Sequence, residues 1–136
     1  MKFVRLSKML FLAVFSLAVS SCDKDTTTVD QPPVAGGKGG HSWLSVIPRH
    51  ENDDIDSCII YIKYNTLDIP QQYDDSQLVV RVDGRYRVTF TDLKPGNYYL
   101  YGKGWDNVRS LPVAGGFPYT IQSDYTKNNM ELQLFR

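Results

Sequence analysis

Asp83-Gly84 is the dipeptide that most restricts what this chain can become. It lies between two runs, 78–82 and 85–91, in which apolar and polar residues alternate. A type I′ turn needs positive φ at both central residues, and Asp-Gly tolerates that, so the pattern predicts a β-hairpin. Val80, Val82, Tyr86, Val88 and Phe90 take the even positions and are assigned to one face. Arg81, Arg85, Arg87, Thr89 and Thr91 take the odd positions and are assigned outward. A second turn is predicted at Leu93-Lys94-Pro95-Gly96, where proline presets φ and glycine accepts a positive one. Alternation then resumes, with Tyr98 and Leu100 inward and Tyr99 and Tyr101 outward. If both turns close hairpins, three strands lie side by side.

The rest of the chain repeats this pattern more loosely. Residues 41–49 form a first strand that Pro48 ends or places at an edge. Residues 50–56, HENDDID, read as a solvated acidic loop, and residues 58–65 as a clear strand. Residues 66–77 are an irregular connection, and 106–116 a loop ending in Gly115-Gly116. Residues 117–122 and 130–134 complete seven short strands, which predicts an all-β sandwich. The 136 residues bound the chain to one such domain.

Residues 1–21 are expected to be a signal peptide. Lys2, Arg5 and Lys8 precede the apolar run 10–19, which is too short to span a bilayer. Val19-Ser20-Ser21-Cys22 resembles the cleavage box of bacterial lipoproteins, which implies lipidation of Cys22. Residues 22–40 then form a flexible tether rich in Thr, Pro and Gly, and 41–136 the domain. Asp23, Lys24 and Asp25 resemble the charged signals that follow the lipid cysteine in Bacteroidota surface lipoproteins. The expected location is the outer membrane, on its periplasmic or extracellular face, with the membrane as a partner through the lipid. Removing residues 1–21 deletes three of the 15 basic residues and none of the 15 acidic ones, leaving a net charge of −3. That balance excludes a general attraction to nucleic acid. Cys58 is left without a partner, and its neighbours Ile59, Ile60 and Ile62 place it at the buried start of a strand.

Gly84-Arg85-Tyr86, followed by Phe90-Thr91-Asp92-Leu93-Lys94-Pro95-Gly96-Asn97-Tyr98, resembles the G-x-Y…F-x-x-L-x-P-G-x-Y signature of carboxypeptidase-regulatory-like domains. These are prealbumin-like β-sandwiches related to the B-type repeats of bacterial adhesins. The resemblance implies a seven-stranded, prealbumin-like Greek-key sandwich over residues 41–135, and it implies no particular activity. The Tyr-Arg-Gly-Ser tail of the prealbumin-like hydrolases is replaced here by Gln133-Leu134-Phe135-Arg136. Residues 41–49 hold no lysine for the isopeptide crosslink of the adhesin repeats.

No G-x-S-x-G or H-E-x-x-H motif occurs, and the acids near His41 and His50 match no zinc or calcium spacing. The reading is therefore a non-catalytic protein with no metal and no cofactor. It is expected to be a binding or assembly module beside a nutrient-uptake or adhesion system. The alternative is a carbohydrate-binding lipoprotein that uses exposed aromatics, Trp43 among them. Arg85, Arg87, Tyr99, Tyr101 and Trp105 are the expected interaction surface, because arginine and aromatic residues dominate interface hot spots. Its expected partner is a protein or a glycan.

Overall fold

A computed structural model describes residues 35–136. Those residues form no helix and nine strands: β1 (Lys38–His50), β2 (Asp53–Asp54), β3 (Ser57–Tyr64), β4 (Asp75–Leu78), β5 (Val80–Val82), β6 (Arg85–Leu93), β7 (Gly96–Asp106), β8 (Leu111–Ile121) and β9 (Lys127–Gln133). One sheet contains β9, β1, β6 and β5, with the short β2 also on β1. The other runs β4-β3-β7-β8. All pairings are antiparallel except β1 with β9, which is parallel. The inner faces meet in a core of Leu44, Val46, Val88, Phe90 and Leu132 from one sheet and Ile60, Ile62, Tyr98, Leu100 and Val113 from the other. Two sheets closing on one apolar layer make a β-sandwich.

The expected strand between 78 and 82 is two strands. β4 pairs with β3 in one sheet, and β5 pairs with β6 in the other. Val79 lies between them, buried in the core, where the chain changes sheets. β2 is the other addition. It forms inside the expected acidic loop by folding back on the end of β1, with Arg49 opposite Asp54. The expected loop 106–116 is mostly the first half of β8, which pairs with β7 along its whole length.

The Asp83-Gly84 turn closes the β5–β6 hairpin with φ of 50° and 80°, as a type I′ turn needs. Its two-residue loop sets Val82 opposite Arg85 and Val80 opposite Arg87. Cross-strand partners share a face, so the even positions of β5 join the odd positions of β6. The expected grouping of Val80 and Val82 with Val88 and Phe90 is thus corrected: both valines are exposed, while Val88 and Phe90 are buried. Arg81 instead shares a face with Tyr86, its guanidinium 5.8 Å from the ring centroid.

The second turn does not close a hairpin. β6 belongs to one sheet and β7 to the other, so Lys94-Pro95 carries the chain across the core. Tyr98 fastens this crossing. Its hydroxyl donates to the Lys94 carbonyl at 2.6 Å and accepts from the Gly37 N–H at 2.9 Å. The start of the domain moves as well, because β1 begins at Lys38 and pairs it with Leu93. Pro48 neither ends β1 nor lies on an edge strand. It falls where pairing with β6 has stopped, after Val46–Val88, and pairing with β2 has not begun, so no neighbour on that side requires its missing N–H.

Candidate functional site

The five expected surface residues divide between the two outer faces of the sandwich. Arg85 and Arg87 project from β6, in the β9-β1-β6-β5 sheet. Tyr99, Tyr101 and Trp105 belong to β7, in the four-stranded sheet. The separation follows directly from the crossing at Lys94-Pro95.

Arg85 is committed to structure. It donates to both Asp54 carboxylate oxygens, at 2.5 and 2.9 Å, and to Glu131 at 3.3 Å. Arg49 joins from β1, 3.0 Å from Glu131. The Arg85 hydrogen bonds hold Asp54 below its ordinary carboxylate pKa, and those of Arg49 and then Arg85 do the same for Glu131. This network ties β1, β2, β6 and β9 together across the outer face. Arg87, by contrast, has no carboxylate within ion-pair distance among the described residues.

On the four-stranded sheet, Tyr61 of β3 pairs directly with Tyr101 of β7. Tyr73, from the connection before β4, packs against both, with ring centroids 5.4 Å from Tyr61 and 5.8 Å from Tyr101. Burial raises the Tyr73 pKa, and the neighbouring Tyr99 and Tyr101 hydroxyls add to the effect. Tyr99 is only 7% exposed, although it lies on the outer face. Its ring lies across Gly116 of the neighbouring β8, where an added Cβ would come 2.8 Å from Tyr99 Cε1. The expectation that Tyr99 is solvent-facing is therefore corrected: a glycine beside it lets the ring lie flat on the sheet. Beyond the tyrosines, Ile59, Leu78 and Trp105 are exposed and line a groove of about 650 Å³ with Lys103 and Asp56 at its rim. This face combines aromatic area with unsatisfied apolar surface.

The acidic loop serves as ligand for one arginine. Glu51 and Asp53 accept from Arg109 at 2.6 and 2.8 Å, and Arg109 also donates to Asp106 at 3.0 Å. Asp106, fully buried, meets His50 Nδ1 at 2.7 Å. The His50 contact, supported by Arg109 and the backbone N–H groups of Val108 and Arg109, holds the Asp106 carboxyl well below the usual range. The loop is therefore paired rather than solvated. Sequence reasoning missed this cluster because Asp106 and His50 are far apart in the chain and meet only where the ends of β1 and β7, from opposite sheets, come together.

At the other end, His41 Nδ1 meets Asp124 at 2.8 Å, and its ring stacks on Tyr125 with centroids 4.3 Å apart. That contact lowers the Asp124 pKa to about 2, with the His41 backbone N–H assisting. Among the described residues, no hydroxyl or thiol is hydrogen-bonded to either imidazole. Nor do three or more His, Cys, Asp or Glu side chains converge there as a metal site would require. Cys58 is buried, and that burial pushes its thiol up to about 12. Cys22 lies outside the described residues.

Comparison with family models, with curated proteins and with solved structures returns no match.

Proposed function

We propose that this chain is a non-catalytic docking module, exported and held at the outer membrane by a lipid on Cys22. Its working surface is the outer face of the four-stranded sheet, and its partner is a protein of a nutrient-uptake or adhesion assembly. The observation that carries the reading is the groove bounded by Ile59, Leu78 and Trp105 beside the Tyr61–Tyr73–Tyr101 cluster. Leu78 is 64% exposed there, on a sheet whose other face already fills the core. Aromatic anchors around an apolar groove, rimmed by charge, match the anatomy of protein interfaces more closely than that of polar ligand sites.

The fold reading is the prealbumin-like, carboxypeptidase-regulatory-like sandwich. Its support is the Gly84-Arg85-Tyr86 and Phe90–Tyr98 signature, together with the all-β, two-sheet architecture.

The test uses a photo-crosslinking residue placed at Leu78 or at Val82 in the membrane-anchored protein in cells. A protein adduct of one defined mass is expected from Leu78 and none from Val82, which lies on the other sheet. Cys22→Ala should move the protein to the soluble fraction and abolish the adduct. No adduct at Leu78, or the same adduct from both positions, rejects the docking face. Retention of Cys22→Ala on salt-washed membranes rejects the anchor.

A further inference from the structure

The outer face of the other sheet holds a second, chemically different pocket of about 250 Å³. Trp43 of β1 lines it and is 45% exposed. Arg87 and Thr89 of β6 and Lys127 and Asn129 of β9 supply its polar lining. These three strands are neighbours through β1, which sets Trp43 opposite Lys127 and Ser45 opposite both Thr89 and Asn129. No acidic side chain lines the pocket.

Two cations here are unspent. Arg49, Arg85 and Arg109 each reach a carboxylate, but Arg87 reaches none among the described residues, and its Nε is buried without a hydrogen-bond partner. A guanidinium with no carboxylate beside it is best satisfied by one, through the terminal N–H groups that a ligand can reach. Lys127 has no ion pair among the described residues either. Its ammonium lies 5.0 Å from the Trp43 ring centroid. In this state the indole partly satisfies the ammonium through a cation–π contact.

We propose that this pocket binds a carboxylate-bearing sugar, a hexuronate or a residue of an acidic polysaccharide. The carboxylate takes the Arg87 guanidinium and the Lys127 ammonium. The apolar face of the pyranose ring lies against the indole, and ring hydroxyls meet the Asn129 amide and the Thr89 hydroxyl. The volume is below the usual range for drug-sized ligands, which suits a single sugar ring. Asn128 takes no part, since its amide already donates to the Trp43 carbonyl and accepts from Tyr119. The site is independent of the docking face, on the opposite sheet.

Trp105→Phe in the full lipidated protein, solubilised in detergent, leaves Trp43 as the one indole and a direct reporter. Its fluorescence is followed during titration with sodium glucuronate and with glucose, which carries a neutral hydroxymethyl group in place of the carboxylate. Saturable quenching by glucuronate is expected, with glucose weaker by about tenfold or more. Affinity should fall as salt rises from about 50 mM to about 500 mM. Arg87→Gln should weaken glucuronate by about tenfold and Lys127→Gln by about threefold, both with an unchanged thermal melt. If Arg87→Gln fails to fold, the exposed Lys127 carries the test with Asn129→Ala. An equal response to both sugars, no saturable response to glucuronate, or undiminished binding by these variants overturns the site. In Arg87→Gln, capture through Leu78 should be unaffected, so failure here and failure of the docking face are read separately.

Discussion

Tyr98 and Tyr99 are adjacent, both buried, and held for different reasons. Tyr98 fills the core and closes the crossing with its hydroxyl, whereas the Tyr99 hydroxyl has no hydrogen bond among the described residues and the ring packs over Gly116. Truncation to alanine should therefore cost roughly 3–5 kcal/mol at Tyr98 and a comparable amount at Tyr99. Removing the hydroxyl alone separates them. Tyr98→Phe should lose about 1–3 kcal/mol, because the Gly37 N–H and the Lys94 carbonyl are left unpaired. Tyr99→Phe should change stability by less than about 0.5 kcal/mol. Urea midpoints of the four variants check this, and equal losses for the two phenylalanine variants would contradict it. Strand alternation alone places Tyr98 inward correctly. It says nothing of how an outward ring is covered, since that depends on which strand lies beside it and on a glycine there. Cys58 was similarly legible, because Ile60 and Ile62 alternate with it on the face that enters the core. The side of Val80 and Val82 was not. Counting parity straight through a two-residue turn ignores that antiparallel partners across it have odd and even numbers paired.

At the scale of the element, turn chemistry reports φ and ψ but not which sheet receives the next strand. Asp83-Gly84 closes a hairpin, and Pro95-Gly96 serves a crossing, yet both are ordinary turn dipeptides. Gly115-Gly116 hid the first half of β8 from the sequence for a related reason, since a glycine packs closely without marking a face. Gly102 faces the core opposite Ile60, where an added Cβ would meet Leu134 at 2.8 Å and Ile60 and Leu132 at 3.1 Å. Gly102→Ala should therefore overpack the layer and cost about 1–3 kcal/mol, with the far-ultraviolet circular dichroism unchanged. A neutral result would show that the side chains move aside freely. The turn joining β7 to β8 carries a pH dependence. Asp106 is depressed in the fold, so the stability it contributes is present above the ordinary carboxylate pKa of about 4 and is lost as pH falls toward its folded value. Denaturation midpoints should hold between about pH 5 and pH 7 and decline below about pH 4. Asp106→Asn should lower the plateau and flatten the decline by up to one proton, and an unchanged acid slope would assign the effect to Asp54, Glu131 and Asp124 instead.

For the whole molecule, the decisive contact joins the first strand to the last. β1 is central in its sheet, and one of its edges is covered by β9 in parallel from Trp43–Lys127 to Arg49–Gln133. Leu132 and Leu134 enter the core from this last segment, and Phe135 then bridges to Ala114 of the opposite sheet with two hydrogen bonds of 2.8 Å. The sandwich cannot close until the end of the chain is present, and such non-local closure makes folding slow compared with local hairpins. Two truncations test the argument. Removing Phe135 and Arg136 deletes only the bridge and should cost about 1–3 kcal/mol while leaving a cooperative transition. Removing residues 127–136 exposes the edge of β1 and takes two fully buried leucines from the core. That chain should show no cooperative unfolding, and its amides should exchange with solvent without protection. Persistence of a cooperative transition in the longer truncation would mean that β1, β6 and the four-stranded sheet form a sufficient core by themselves, and that the last strand only caps it.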